Sequence, residues 1–219
     1  LFRGVSLDEK RILDVGGGTG VFSFYAAAMG AADVICLEPE SDGGTEGMSQ
    51  RYRRLRIATG FENVRMVTDT FQNFEAPPGA FDLVLLHNSI NHLDEVAAIQ
   101  LRRDVPSREV YRLLFRKLSS LVAPRGDVLI TDCARTNFFP LLHIPHPISR
   151  SIEWHKHQDP GLWAKMLQEA GFTSAAVGWS SYNSFGRLGW DLLANRVGAF
   201  FLTGHFRLLM RKQSIGPQP

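Results

Sequence analysis

Cysteine is scarce in this sequence. The 219 residues include only Cys36 and Cys133, and each lies within an apolar run that is typical of a β-strand. Two thiols without C-x-x-C spacing form neither a disulfide framework nor a common zinc site. We therefore expect a protein of the reducing cytoplasm that has no metal site.

An excess of one charge and long apolar runs are also lacking. The 24 Lys and Arg residues against 22 Asp and Glu residues give a formal net charge of +2, so the composition does not support a nucleic-acid partner. The basic stretch RYRRLR, residues 51–56, is interpreted as a solvated helix. No uncharged run reaches the roughly 18 residues of a membrane span, and no signal peptide is recognisable. Because the chain begins at Leu1 rather than at Met, we expect that an N-terminal segment has been removed.

Apolar runs bounded by turn residues alternate with helical patterns, which is the order of a parallel sheet covered by helices on both faces. The predicted strands are 10–15, 33–38, 63–67, 81–86 and 126–132, with a sixth strand beginning at about Phe172. The predicted helices are 19–30, 45–59, 93–121 and 159–170, and Pro106 divides the third of these into two pieces.

The end of the chain departs from this alternation. Residues 199–212 are rich in β-forming side chains and follow a long aromatic connection rather than a clear crossover helix. We predict a hairpin-like seventh strand that runs antiparallel, in a doubly wound and mostly parallel α/β sheet. The length and the absence of repeats indicate a single domain over 1–219, with a disordered tail at 213–219.

The stretch ILDVGGGTG, residues 12–20, places glycines between an apolar run and a helical pattern. Glycine lets the backbone approach a ligand closely, and the N-terminus of a helix offers unpaired N–H groups to an anion. A tight turn is the simpler alternative, but it needs fewer glycines. The dinucleotide pattern G-x-G-x-x-G would require glycine where the chain has Val21, and the P-loop lysine is absent. The spacing is instead D-x-G-x-G-x-G, from Asp14 to Gly20.

Several segments, in order, resemble the motifs of the class I S-adenosylmethionine-dependent methyltransferases. LDVGGGTG resembles motif I, and VICLEPE and VTDTF resemble the ends of the second and third strands. FDLVLLHNSINHLDE is similar to the fourth-strand motif of the small-molecule (type 11) branch, and LLFRKLSSLVAPRGDVLITD to the next helix, turn and strand, with Arg125 in place of a glycine. The resemblance implies a Rossmann-like fold, an enzyme, S-adenosyl-L-methionine as cofactor and S-adenosyl-L-homocysteine as product.

The resemblance also implies which residues hold the cofactor. Glu38 would meet the ribose hydroxyls, and Asp69 would hold the adenine amino group. Without the resemblance, Glu38 would be interpreted as an exposed carboxylate at a strand end and Asp69 as a helix cap. The predicted cofactor-binding residues are Asp14, Gly16, Gly17, Gly18, Gly20, Glu38, Asp69, Thr70, Phe71, His87 and Asn88.

Two histidines are the candidate catalytic residues. The cofactor carries its own leaving group, so the protein must align the acceptor, and a hydroxyl acceptor is helped by a general base such as histidine. We predict His92 as the first candidate and His157 as the second. His92 occupies the second histidine of the family's HHL motif, where Asn91 replaces the first, and an orienting role for His92 is equally supported. Residues 134–158 form an insert that is predicted to line the acceptor, with an aromatic loop packed on the sheet as the alternative.

The predicted reaction is methyl transfer to a small organic acceptor, with a hydroxyl oxygen favoured. Transfer to a protein or to an amine nitrogen stays open, and so does a non-catalytic binding module of the same fold. The [DN]PP[YF] motif of enzymes that methylate nucleic-acid amino groups is absent, because the fourth strand ends in HNSI. The retained glycines and Glu38 favour an enzyme over a module. The oligomeric state stays open.

Overall fold

The computed structural model of the chain describes residues 1–39, 47–147, 149–181, 185–202 and 204–214. Its strands are β1 (Arg11–Val15), β2 (Asp33–Leu37), β3 (Val64–Val67), β4 (Phe81–His87), β5 (Val122–Cys133), β6 (Phe172–Trp179) and β7 (His205–Lys212). Its helices are α1 (Val21–Ala28), α2 (Met48–Thr59), α3 (Glu95–Gln100), α4 (Val105–Leu121), α5 (Phe138–Leu141), α6 (Pro160–Glu169), α7 (Gly186–Leu193) and α8 (Arg196–Phe201). Two short 3₁₀ helices, Ile90–His92 and Trp154–Lys156, lie in the connections after β4 and α5.

The strands form one sheet in the order β3-β2-β1-β4-β5-β7-β6. Strands β1 to β5 pair in parallel, and β7 runs antiparallel to both of its neighbours, β5 and β6. The carboxyl ends of β1, β4 and β5 therefore meet at one edge, where open α/β sheets bind their ligands. The predicted doubly wound sheet with an antiparallel last strand is confirmed.

Both faces of the sheet are covered by helices. Along β1, alternate side chains enter different clusters, because successive residues of a strand point to opposite faces. Leu13 belongs to the cluster that contains Phe115 of α4 and Trp163 of α6. Ile12 belongs to the cluster that contains Phe24 of α1 and Tyr52 of α2. This division of the core keeps the carboxyl edge of the sheet at the surface between two helical layers.

The long helix predicted over 93–121 consists of two pieces, as Pro106 indicated. Pro106 lies in the first turn of α4, where a missing N–H costs no helical hydrogen bond. Asp104 caps this helix, and its Oδ2 accepts from the N–H of Ser107 at 2.8 Å. A second cap begins α3, where Asp94 Oδ1 accepts from the N–H of Ala97 at 2.8 Å.

The sequence interpretation of residues 199–212 was wrong at its beginning. Residues 199–201 lie in α8, and β7 starts at His205. Asn195 begins α8, because its Oδ1 accepts from the N–H groups of Val197 and Gly198 at 3.0 Å each. This cap outweighs the β propensity of the following aromatic residues. The described part of the connection between β6 and β7 therefore contains two short helices, α7 and α8.

The basic stretch 51–56 lies in helix α2. In α2 only Tyr52 is buried, so the basic stretch 51–56 is a solvated helix as predicted. Its predicted start at 45 falls outside the described residues.

No helix in the described part of the chain is long and apolar enough to cross a membrane. In the predicted tail, the N–H of Gln213 donates to the Gly171 carbonyl at 3.0 Å, and 215–219 lie outside the described residues.

Candidate active site

The glycine loop between β1 and α1 passes through left-handed backbone conformations. Gly16 and Gly20 have φ angles of 68° and 78°. A Cβ added to Gly16 would lie 2.6 Å from Ser89 Cβ, and one added to Gly20 would lie 2.7 Å from a ring carbon of Tyr52. Both positions therefore require glycine for packing inside the protein, in addition to backbone conformation.

Gly18 has a different environment from these two glycines. Its φ is 56°, but the nearest atom to an added Cβ would be Met48 Sδ at 3.9 Å, which is an ordinary contact distance. The N–H of Gly18 donates to Glu38 Oε2 at 2.8 Å. Glu38 follows β2 directly and is 5% exposed. The loop thus holds the Glu38 carboxylate beside the one glycine of the motif that has space around its α-carbon.

Asp14 lies beneath the loop. A Cβ on Gly17 would lie 2.9 Å from Asp14 Oδ2, which accepts from Ser23 Oγ at 2.7 Å. No described residue bonds to the buried Oδ1. Burial, opposed by the Ser23 hydrogen bond and aided by the charge of Glu38, raises the pKa of Asp14 to about 6. Asp14 is therefore placed to support the loop from the interior.

A small cavity opens at the carboxyl ends of β1 and β2. Its volume is about 160 Å³. The residues that line it include Val15, Gly16, Leu37, Thr70, Phe71, Ser89 and His92. Asp69 is adjacent, and its Oδ1 accepts from the N–H of Thr70 at 2.7 Å. The structure therefore brings three of the predicted cofactor residues together with His92.

The carboxyl end of β4 carries a second group of polar side chains. His87 Nδ1 lies 2.6 Å from Thr131 Oγ1, and Asn88 Nδ2 lies 3.3 Å from His87 Nε2. The ring of Phe22, at the start of α1, lies 4.5 Å from the His87 ring, centroid to centroid. Burial, aided by the charge of nearby His205, lowers the pKa of His87 to about 4. His87 is therefore neutral at physiological pH.

His92 is the more exposed of the two candidate bases. Its side chain is 50% exposed, and its Nδ1 lies 2.6 Å from Glu95 Oε1. Glu95 is itself 43% exposed and also pairs with Lys156 Nζ at 2.9 Å. This small ion-pair network lies at the surface, beside the cavity that His92 lines.

His157 has a buried partner. Its side chain is 14% exposed, and its Nδ1 donates to Asp132 Oδ1 at 2.9 Å. The Asp132 side chain is 1% exposed and lies near the carboxyl end of β5. Asp132 Oδ1 also accepts from the N–H of Cys133 at 2.8 Å, which holds the carboxylate in place. No described residue bonds to Asp132 Oδ2.

Asp132 was missed in the sequence. It stands in the quoted segment LITD, but a single acidic residue at a strand end carries no signal until its partner is known. That partner is 25 residues further along the chain, in the insert. Within the part of the chain that the structure describes, no group of three His, Cys, Asp or Glu side chains could hold a metal ion.

Comparisons with known proteins bear on this arrangement. The family described as "Methyltransferase domain" matches residues 2–177, which run from before β1 into β6 and include all the residues that line the small cavity. No curated protein matches the sequence.

Solved structures share the whole architecture at low sequence identity. An S-adenosylmethionine-dependent methyltransferase from Mesorhizobium loti is 18% identical, with a TM-score of 0.64 over 94% of this chain and 93% of that chain. A SAM-dependent methyltransferase from Aquifex aeolicus is 12% identical, with a TM-score of 0.59 over 93% of this chain and 82% of that chain. These two similarities show the fold alone. The family is shown by the match to the methyltransferase domain, which covers most of the chain. The chain therefore belongs to the methyltransferase domain family, as a class I S-adenosylmethionine-dependent methyltransferase.

Proposed function

We propose that this enzyme transfers the methyl group of S-adenosylmethionine to a hydroxyl oxygen of a small organic acceptor, and that His157 is the general base. The observation that carries the proposal is the pairing of His157 with the buried Asp132 at the carboxyl edge of the sheet. The acceptor class and the base are both part of the proposal.

The cofactor half of the site is assigned to the loop and the small cavity. Gly18 leaves room beside its α-carbon, and Glu38 presents a carboxylate that is already oriented by the Gly18 N–H. A carboxylate accepts hydrogen bonds from ribose hydroxyls, and we assign Asp69, together with Thr70 and Phe71 of the small cavity, to the adenine. When bound, the cofactor supplies an electrophilic methyl group on a sulfonium. The protein's part is to hold the acceptor oxygen in line and to remove its proton.

The pairing with Asp132 gives His157 the properties of a base. Because a carboxylate only accepts, the hydrogen of the neutral imidazole is on Nδ1 and the lone pair is on Nε2. Asp132 also stabilises the imidazolium that forms when Nε2 takes the acceptor proton. The buried carboxylate fixes the ring orientation, so this proton transfer needs no rearrangement of the pair.

The other histidines at this edge are less suited to the role. His92 is held by an exposed carboxylate and lines the cavity assigned to the cofactor, which favours an orienting role. A general base is most effective when its pKa lies near the operating pH, and the pKa of His87 is lowered to about 4. His87 is therefore assigned to shaping the site together with Asn88.

The experiment compares His157→Gln with His92→Gln, using a panel of hydroxyl and amine acceptors. We expect kcat of His157→Gln to fall roughly 10²- to 10⁴-fold for a hydroxyl acceptor, the range of general-base catalysis. His92→Gln should retain turnover within about threefold, because it keeps a hydrogen-bonding side chain next to Glu95. Calorimetry with S-adenosylhomocysteine should give the same dissociation constant for His157→Gln and the wild type, because His157 does not line the cavity assigned to the cofactor.

Each contrary outcome has a distinct meaning. A large loss of turnover in His92→Gln alone would move the base to His92. Normal turnover in both variants would exclude histidine base catalysis at these positions and leave positioning alone. Methylated amines as the only products would assign the enzyme to nitrogen acceptors. Binding of the cofactor without turnover of any acceptor would favour a binding module.

A further inference from the structure

A groove of about 680 Å³ lies beside the His157–Asp132 pair, on the side away from the glycine loop. This volume lies within the range of small-molecule sites. Its apolar wall consists of side chains from β6 and α8, namely Val177, Trp179, Val197 and Phe200. Val177 and Val197 are 44% and 69% exposed, so this apolar wall faces solvent.

The chain connects the groove directly to the proposed base. Ala134 and Asp159 line the groove, and they follow Asp132 and His157 by two positions each. Because consecutive Cα atoms are about 3.8 Å apart, the Cα of Ala134 lies within roughly 8 Å of the Cα of Asp132, and the same holds for Asp159 and His157. Strand β5, which carries Asp132, also lies between β4 and β7 in the sheet. A molecule with its hydroxyl at His157 would therefore have its remaining atoms between the segment that follows β5 and the side chains of β6 and α8.

The charges in the groove favour an anion. Asp159 is neutralised, because Arg102 pairs with its carboxylate and Thr136 donates to Oδ1 and Oδ2 at 2.9 and 2.8 Å. Arg196 lines the same groove and is exposed, and no described residue forms a hydrogen bond or ion pair with it. Neighbouring Arg187, by comparison, faces Asp191 at 3.9 Å across one turn of α7.

We infer that this groove binds the apolar body of the methyl acceptor and that Arg196 binds an anionic group at the other end of that molecule. The acceptor class is then a hydroxylated compound with an apolar body and a carboxylate, sulfonate or phosphate. This inference rests on the proposed function for the hydroxyl end only, because the groove and its charge are independent of the reaction.

The test uses two fluorescent dyes with the same aromatic body. Anilinonaphthalenesulfonate carries an anion, and phenylnaphthylamine does not. Both are titrated into the wild-type chain without cofactor. Val197→Asp should weaken binding of both dyes about tenfold, because a charge enters the apolar wall. Arg196→Gln should weaken only the sulfonate dye, by about five- to tenfold, the usual size of one charge-assisted contact.

The chain offers a matched control for each variant. Val96 lies in the first turn of α3 and is 76% exposed, and Val197 lies in the first turn of α8 and is 69% exposed. Val96→Asp therefore controls for the effect of a new surface charge. Arg187→Gln on α7 controls for the loss of one arginine. Neither control should change the affinity of either dye.

Several results would overturn the inference. These are no saturable binding of either dye, equal affinities in Val197→Asp and Val96→Asp, or equal effects of Arg196→Gln on both dyes. Because the readout needs no methyl transfer, a failure here is separate from normal turnover in His157→Gln, which would overturn the proposed base.

Discussion

Asp14→Asn should stabilise the protein at neutral pH in the absence of cofactor. Asp14 is 1% exposed, accepts one side-chain hydrogen bond from Ser23, and has no described partner at Oδ1. The interior therefore disfavours its charge, and its pKa is raised from 3.8 to about 6. The substitution keeps the shape of the side chain and removes the charge.

The magnitude follows from the pKa, since one pKa unit corresponds to about 1.4 kcal/mol. With a pKa of about 6 in the folded state and 3.8 as the ordinary value, ionised Asp14 costs on the order of 3 kcal/mol. The folded state binds the proton more tightly than the unfolded state, so this cost is absent below pH 3.8. Stability is lost as the pH rises from 3.8 to about 6, and the full cost is present at pH 7.

Urea denaturation from pH 4 to pH 8 measures this difference directly. The free energy of unfolding of Asp14→Asn should exceed that of the wild type by about 3 kcal/mol at pH 7, and the difference should approach zero near pH 4. Asp82→Asn is a control of opposite sign, because the hydrogen bond from Arg11 lowers the pKa of Asp82. Its stability relative to the wild type should fall at neutral pH.

Two results would contradict the reasoning about Asp14. If Asp14→Asn is less stable than the wild type at pH 7 without cofactor, the carboxylate has a stabilising partner that the described residues do not supply. A gain in stability that is independent of pH would separate the effect from ionisation.

Three further substitutions test the loop and the proposed ribose contact. Gly16→Ala should destabilise the protein by at least about 3 kcal/mol, and Gly18→Ala by only about 1 kcal/mol, as measured by urea denaturation. Both residues have positive φ, but only the methyl group at Gly16 would meet Ser89 Cβ at 2.6 Å, so equal losses would contradict the packing argument. Glu38→Gln should lower the affinity for S-adenosylhomocysteine about tenfold in calorimetry, because it keeps an acceptor for the Gly18 N–H but loses the charge. An unchanged dissociation constant would place the ribose elsewhere.

The order of elements was predictable because the local patterns agree with the fold. Alternating strands and helices, the Pro106 break and the glycine loop each depend on neighbouring residues, and all appear where the sequence predicts them within a few positions. The exceptions lie between β6 and β7, where α7 was not predicted and where the Asn195 cap starts α8 in a segment of high β propensity. The free energies of helix capping and of strand propensity are of similar size, so small differences between them decide whether such a segment forms a helix or a strand.

Within the site, the sequence indicated which loops contribute but could not rank their side chains. Both candidate bases lie at the carboxyl edge as expected, but the first-ranked His92 pairs with an exposed carboxylate and His157 with a buried one. The difference comes from residues far apart in the chain, since Asp132 precedes His157 by 25 positions. Hydrogen-bond partners of this kind are set by packing between a strand and an insert.

The sequence alone determined the fold class, because strand and helix periodicity is local, and it indicated the family through the resemblance of several motifs, one of which is the glycine loop. Only the tertiary structure decided that Gly16, Gly17 and Gly20 are required by contacts with Ser89, Cys36 and Tyr52, whereas Gly18 leaves room beside the loop. It also paired Asp132 with His157 and formed the groove from β6 and α8. The reason is physical: backbone pattern is a local property of the chain, whereas burial, ion pairing and cavity shape depend on which distant segments the fold brings into contact.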